Sequence, residues 1–293
     1  MKNISYTFII PHHNSPKLLN RCLNSIPERE DIQIIVVDDN SRQDAKPCIK
    51  RSDVEVIYID AANTKGAGRA RNVGLKSAKG KWVLFADCDD YYSLGFLDVL
   101  DKYKEQEIDV LYFNYNYIDG ASGHVIKDNK LQQVLCQDQL SSDDVGYIKY
   151  MNNEPWNKMV KYGYIEKHKM YFEEVPHGND ILYSLLIASC TDNISTCKER
   201  LYNYISIPNS ITTKKPTIHI CLCRMEHYIK KCTFLESVGY SKWKPNLFIH
   251  LCRILKKSGI KQFLQLLFNL PMMFCNRQMK MEWVQLIEKL KKM

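Results

Sequence analysis

Lys81-Trp82-Val83-Leu84-Phe85-Ala86-Asp87-Cys88-Asp89-Asp90-Tyr91-Tyr92 decides how the chain is read. An apolar run from Trp82 to Ala86 follows Gly80 and stops abruptly at three carboxylates. A short apolar run bounded this way predicts a strand buried on both faces. Such strands belong to parallel sheets covered by helices. Ligands of open α/β sheets sit beyond the carboxyl ends of the strands, which is where Asp87, Asp89 and Asp90 fall. Hard divalent cations such as Mg²⁺ or Mn²⁺ take oxygen ligands, often one or two carboxylates together with substrate phosphates. Asp-x-Asp at a strand end therefore suits a bridge from protein to a metal-bound diphosphate. It is also the composition of an ordinary strand-to-helix turn, because Asp caps helices.

Working outward, residues 6–11 (YTFIIP), 32–37 (IQIIVV) and 54–59 (VEVIYI) predict three further strands, the first ended by Pro11. Asn14-Ser15-Pro16 opens a helix, with Pro near its first turn. Residues 66–77 read as a loop running into a helix, stopped by Gly80. Residues 94–104 predict a helix and 110–117 another strand. The alternation argues for an α/β fold with a doubly wound, mostly parallel sheet. Residues 120–144 are polar, without clear periodicity. A turn at Glu154-Pro155-Trp156, a helix over 162–167, a helix opened by Asn179-Asp180 and a strand over 201–207 follow. From Thr217 the pattern is helical, over 218–235, 245–257, 260–268 and 282–292. The expected organisation is a catalytic domain over 1–212, with halves 1–118 and 119–212, and a basic helical region over 213–293.

The 293-residue chain is long enough for a substantial core. Its net charge of +8 is uneven: residues 214–293 hold 16 Lys and Arg against 4 Asp and Glu, a net +12, which leaves −4 for the rest. A basic tail beside an acidic main body argues against a nucleic-acid enzyme, whose basic stripe should line the site. No run reaches the roughly 18 apolar residues of a membrane span, and the N-terminus lacks the form of a signal peptide. A cytoplasmic location is expected. The 11 cysteines are scattered and odd in number, which fits free thiols. Cys221-x-Cys223 lacks zinc-site spacing and reads as helix packing.

Polar clusters close three strands: Pro11-His12-His13-Asn14, Asp38-Asp39-Asn40-Ser41 and Asp87-Cys88-Asp89-Asp90. Parallel strands bring them to one edge, where carboxylates accept from a base N–H or ribose hydroxyls. The segment from Lys65 to Asn72 adds the flexible backbone of Gly66 and Gly68, the guanidinium groups of Arg69 and Arg71, and a helix N-terminus, all suited to phosphate. Gly66-x-Gly68 follows the third strand and lacks the third glycine of a dinucleotide fingerprint, which disfavours a dehydrogenase. His12 and His13, with no further ligand at metal spacing, read as loop donors.

Taken in order, IIPHHN, IIVVDDNS, GAGRARNVGLKSAKGKW and LFADCDD resemble the family 2 glycosyltransferases with the GT-A fold. The resemblance is strong over residues 6–92 and continues more weakly through Pro155-Trp156-Asn157-Lys158-Met159 to residue 212. It implies a first half that binds a nucleotide-sugar, a UDP-sugar by default, and a second half that binds a saccharide or lipid-linked acceptor. It implies that Asp39 accepts from the base and that Pro11, His13 and Asn14 form the first nucleotide loop. Arg71, with Gly66 and Arg69 nearby, lies by the diphosphate. Asp87 meets the ribose, and Asp89, with Asp87, holds Mn²⁺ or Mg²⁺. The acidic pair that opens a later helix in the family is here Asn179-Asp180, and Asp180 is the implied base. Trp156 is a candidate for acceptor stacking and equally for the core.

The implied chemistry is a single inverting displacement in surface-polysaccharide synthesis. Two rivals remain open. A sugar nucleotidyltransferase should carry a Gly-rich basic loop after the first strand, which PHHNSP is not. A non-catalytic module that binds a nucleotide-sugar would tolerate loss of Asp89 or Asp180. Residues 260–274 are apolar but short and interrupted by Pro271, and they are flanked by Lys256, Lys257, Lys261, Arg277 and Lys280. That pattern fits peripheral attachment to the inner face of an anionic membrane as well as simple packing.

Overall fold

The computed structural model describes residues 3–175, 177–207 and 215–275. The chain divides into two compact units, Met1–Pro208 and Asn209–Met293. In the first, β1 (Tyr6–His12), α1 (Pro16–Asn24), β2 (Ile32–Asp39), β3 (Val54–Ile59), α2 (Ala67–Ser77) and β4 (Trp82–Phe85) follow the expected alternation. Then come β5 (Tyr91–Tyr92), α3 (Phe96–Leu100), β6 (Val110–Asp119), α4 (Lys130–Leu135), α5 (Ser142–Met151), β7 (Lys158–Lys161), α6 (Tyr162–Lys167), α7 (Ile181–Cys190) and β8 (Ile194–Ser206). The eight strands form one sheet in the order β3-β2-β1-β4-β7-β6-β8-β5. β3, β2, β1 and β4 run parallel, as do β6 and β8, while β7 and β5 run against their neighbours. The sheet is thus mostly parallel, as expected, and its reversed strands are short, β5 of two residues and β7 of four.

Every residue of β1 is buried. Phe8 meets Tyr92 and Phe96 edge-on, with centroids 5.3 and 5.9 Å away. Ile35, Val37 and Ile59 pack with Ala70 of α2. That helix lies close over β1: a Cβ at Gly74 would stand 2.4 Å from Ile9 Cγ2.

Four local expectations need correction. Pro11 does not end β1; it pairs with Val37 and the strand runs to His12, because in a parallel ladder a residue without an N–H can still sit in register. The helix expected over 94–104 shrinks to α3, behind Gly95 at φ 75°, and ends in successive turns. β8 begins at Ile194, not 201, because a register shift at Phe113 and Asn114 breaks the alternation that reveals a strand. Residues 120–144 hold α4 and most of the first turn of α5. Each opens with a capping box, Asn129 with Gln132 and Ser141 with Asp144, a signal the polar composition had obscured.

In the second unit α8 (Ile218–Ser237) and α9 (Leu247–Ser258) are capped by Thr217 and Asn246, whose side chains accept from the Ile220 and Ile249 amides. With α10 (Ile260–Cys275) they enclose Cys221, Met225, Ile254 and Leu266, so Cys221 packs as expected. Cys22, Cys88, Cys197 and Cys221 are free thiols, as are the other cysteines up to Cys252. No described helix is long and apolar enough to cross a membrane. The helix expected over 282–292 lies outside the described residues.

One hydrogen-bonded node fixes the start of β4 against β1. Buried Thr7 accepts from the Gly80 amide through Oγ1 at 2.9 Å and donates to Gln33 Oε1 at 2.9 Å. Thr7→Val keeps the shape and strands a buried N–H, a loss of about 1–3 kcal/mol. The expected result is a lower urea midpoint with the slope unchanged; an unaltered midpoint would remove this node from the account.

Candidate active site

The carboxyl ends of β1, β2 and β4 form one edge, and polar loops fasten it. Ser15 N–H donates to His12 Nε2 at 3.1 Å, so His12 Nδ1 carries the proton and donates to Asp38 Oδ1 at 2.7 Å. Asp38 also accepts from the Ser41 hydroxyl and amide. His13 Nδ1 donates to Asp39 O at 2.8 Å, and its Nε2 accepts from Asn14 Nδ2. Asn14 itself sits at φ 54° and accepts from the Arg42 amide. The two histidines act as loop donors, and Pro11 is buried within β1.

Asp39, also buried, accepts from Thr64 Oγ1 at 2.7 Å and from the Gly66 amide at 2.9 Å. Each carboxylate oxygen has further lone-pair capacity. Gly66, at φ 83°, makes the sharp entry to α2 that only glycine takes without strain. Two residues on, a Cβ at Gly68 would come within 2.1 Å of Glu173 O, so the start of α2 lies directly on the 172–175 segment. Arg69 and Lys65 pair with Glu174 there, at 3.0 and 3.1 Å.

Arg71 is placed differently from the expectation of a diphosphate contact. It is 5% exposed and both terminal nitrogens are engaged. Nη2 donates to Asp87 Oδ1 at 2.6 Å and Nη1 to Asn179 Oδ1 at 2.8 Å. Its guanidinium lies 5.3 Å from the Phe172 ring, which stacks on Tyr183 at 4.0 Å. The Arg71 side chain therefore joins α2, the end of β4 and the start of α7.

Past β4, the Asp87 amide donates to Tyr202 Oη at 2.9 Å, and Tyr202 donates onward to Asp90 Oδ2 at 3.0 Å. Asp90 also accepts from the Ile205 amide at 2.7 Å and is buried. Asp90 and Tyr202 are scaffold residues that sequence reasoning missed; the paired acids of Asp89-Asp90 gave no sign of which one faces inward. Asp87 and Asp89 remain partly exposed. Burial, with Asp87 beside it, pushes the Asp89 carboxyl up to about 6. Among the described residues no group of three or more His, Cys, Asp or Glu side chains is arranged to hold a metal. Two neighbouring, partly exposed carboxylates do fit a cation completed by substrate oxygens.

Asp180 precedes α7 but makes no capping hydrogen bond through its side chain, so its carboxylate is not spent on the helix end. It is partly exposed. Burial raises its carboxyl to about 6; Arg71 opposes the rise, and Glu154 and Asp87 add to it. Trp156 belongs to the core: it is 4% exposed, stacked on Tyr202 at 4.8 Å and Tyr204 at 5.4 Å and edge-on to Tyr115. No face of the ring is open to a sugar, which corrects the acceptor-stacking expectation. Two clefts of about 490 and 560 Å³ lie near the opposite edge, around Ile4 and Lys79, and contain none of these carboxylates.

A mostly parallel sheet with paired carboxylates beyond its central strand and a further one opening a later helix has the GT-A architecture. The crystal structure of Staphylococcus aureus TarS 1–349 in complex with UDP-GlcNAc has this fold. It aligns with a TM-score of 0.59 at 18% identity, covering 99% of this chain and 92% of that one. Residues 7–168 match Glycosyl transferase family 2, and the chain belongs to that family of enzymes. It is 26% identical over 264 residues to the uncharacterized glycosyltransferase EpsJ of Bacillus subtilis, covering 84% of this chain and 74% of EpsJ. It is 25% identical over 211 residues to the poly(ribitol-phosphate) beta-N-acetylglucosaminyltransferase TarS of S. aureus, covering 69% of this chain and 35% of TarS.

The raised proton affinity of Asp180 has a stability signature. A carboxyl bound more tightly to its proton in the folded state than in the unfolded one stabilises the fold as pH falls through that interval. Asp180→Asn should therefore raise the thermal midpoint at pH 7.5, and the gap should close as pH falls from about 6 toward the ordinary 3.8. A variant less stable than the parent at pH 7.5 would make Asp180 a structural support.

Proposed function

We propose that this glycosyltransferase moves a hexose or N-acetylhexosamine from a uridine diphosphate donor to a hydroxyl of a saccharide or lipid-linked acceptor, with inversion, in surface-polysaccharide synthesis. The observation that carries the reading is Arg71, which joins Asp87 to the Asn179-Asp180 pair. That link between the sheet edge and the start of α7 supports a donor site at the one working with a base at the other. TarS, whose name states N-acetylglucosaminyl transfer to poly(ribitol phosphate) and whose structure holds UDP-GlcNAc, supports the donor class.

In this reading Asp39 and the His13-Asn14 loop receive the nucleoside, and Asp87 orients the ribose. Asp87 and Asp89 hold Mn²⁺ or Mg²⁺, which supplies charge stabilisation at the diphosphate. Lys65 and Arg69, drawn away from Glu174, are the cations able to reach phosphate. Asp180 takes the acceptor proton as the hydroxyl oxygen bonds to the anomeric carbon and the bond from that carbon to the phosphate oxygen breaks. One displacement inverts the centre, and no second carboxylate is assigned a nucleophilic role.

Asp89→Ala should abolish transfer and the metal-dependent part of UDP binding, read with a panel of UDP-sugars and Mn²⁺. Full activity in excess chelator would refute the metal assignment. Asp180→Asn should abolish transfer with UDP affinity intact by calorimetry, and the parent's kcat should fall below about pH 6, where the base protonates. Parallel loss of binding would refute the base assignment.

The helical unit supports peripheral attachment to an anionic membrane at the cytoplasmic face. Ile260, Leu264 and Phe268, at i, i+4 and i+8 of α10, are 70%, 58% and 86% exposed, while Phe263 and Leu266 turn inward to the core of that unit. An outward apolar stripe beside Arg253, Lys256 and Lys261, all exposed, matches a surface that is apolar beneath anionic headgroups. Arg277, Lys280 and the residues after them lie outside the described residues. The protein should float with phosphatidylglycerol vesicles at low salt and less so at high salt, and Leu264→Asp with Phe268→Asp should abolish flotation. Failure of the parent to float at low salt would leave the helices as part of the fold alone.

A further inference from the structure

Between α5 and β7 the chain passes beside Asp180, and a buried lysine behind that passage has no part in the chemistry above. Lys158, the first residue of β7, is 1% exposed. Its Nζ donates to Asn152 O at 3.2 Å, to Asn152 Oδ1 at 3.3 Å and to Glu154 O, and lies 5.7 Å from the Tyr112 ring. Burying an ammonium is costly unless its donors are satisfied, and here backbone and amide oxygens of one short loop satisfy them. The same loop is tied from the other side. Ser184 Oγ donates to Asn153 O at 2.6 Å, while the Ser184 amide donates to Asp180 O at 2.9 Å. Ser184 thus joins the loop to the turn of α7 that begins at Asp180. Pro155 and the stacked Trp156 follow at once and leave the loop little freedom on that side.

Held this way, the loop presents Glu154. Its side chain is partly exposed, and its charge is felt both at Asp180 and at Tyr115. Its carboxylate forms no ion pair or hydrogen bond with a described residue. The Glu154 charge adds to the burial that makes the Asp180 charge costly. Substrate hydroxyls, which donate to carboxylates, offset that cost.

We infer that Lys158 is a positioning residue, whose buried ammonium holds the loop 152–154 against α7 so that the Glu154 carboxylate receives a sugar hydroxyl beside Asp180. The inference rests on the transfer reaction proposed above. The hydroxyl belongs either to the donor sugar or to the acceptor, and the chemistry of recognition is the same.

The test is a double-mutant cycle of Lys158→Met and Glu154→Gln. The probes are UDP, UDP-glucose and UDP-N-acetylglucosamine as ligands, and p-nitrophenyl glycosides as acceptors. Each single variant should lower kcat/KM by about tenfold, the scale of one charge-assisted hydrogen bond. The double variant should be no worse than Lys158→Met, because the lysine acts through the glutamate. UDP affinity should not change. Weaker UDP-sugar binding assigns the hydroxyl to the donor; a raised acceptor KM with unchanged donor binding assigns it to the acceptor. Hydrogen exchange at 152–156 should quicken in Lys158→Met and stay at the parent's rate in Glu154→Gln. If Lys158→Met does not fold, Ser184→Ala replaces it in the cycle as the other tether. Additive losses, unchanged kinetics of Glu154→Gln, or unaltered exchange in the tether variant would each overturn the inference. A parent protein inactive with every pair would count against the transfer reading, while the exchange measurement would still decide the clamp.

Discussion

One guanidinium sets the geometry on which the site depends. Arg71 leaves α2, crosses the sheet edge and divides its donors between Asp87 after β4 and Asn179 before α7. These anchors are distant in sequence, and no continuous secondary structure joins them. A planar fork with fixed donor directions constrains angle as well as distance, which a lysine at the same position would not do. The aromatic stack of Phe172 on Tyr183 beneath it excludes water from one side, so the charge is held where its pairing is strong. Buried guanidinium groups of this kind give geometric specificity more than net stability.

The cation also has to serve a crowded set of anions. Asp87, Asp89, Asp90 and Asp180 gather near one edge, and only Asp87 pairs directly with Arg71. Asp90 is accommodated by hydrogen bonds from Tyr202 and the Ile205 amide. Burial still raises the proton affinity of all three: Asp90 is held well above the ordinary carboxylate range, with Asp87 and Asp89 adding to the rise, and Asp89 and Asp180 are pushed up to about 6. The distribution is uneven in a useful way. Asp90 is shut away from solvent, while Asp89 and Asp180 are partly exposed, where a ligand can relieve their charge.

Much of this was legible in the residues. Apolar runs closed by polar clusters revealed β1, β2 and β4, and parallel pairing then required their polar ends to share an edge. Asn179-Asp180 ahead of an apolar helical run placed α7. What was not legible depended on partners far away in sequence. Nothing local distinguishes an Arg71 that meets phosphate from one that bridges Asp87 and Asn179. The burial of Trp156 is set by Tyr202 and Tyr204, which come from a strand whose first half was hidden by a register shift. The reversed strand β7 is four residues long, too short for periodicity to reveal it.

Asn179 gives the departure from the family's acidic pair a physical meaning. A carboxylate at that position would place a second anion on Arg71 and draw its charge away from Asp87 and Asp180. The amide oxygen of Asn179 keeps the hydrogen bond and adds no charge, so the guanidinium still lowers the proton affinity of Asp180 against the opposing pull of burial. A carboxyl raised to about 6 is ionised at neutral pH, yet binds a proton more readily than an exposed aspartate would, which suits the role proposed for Asp180. Asn179 therefore holds the same geometry as an acid while leaving Arg71 to balance Asp180. The substitution that makes the motif look incomplete in the sequence is compatible with a working base in the fold.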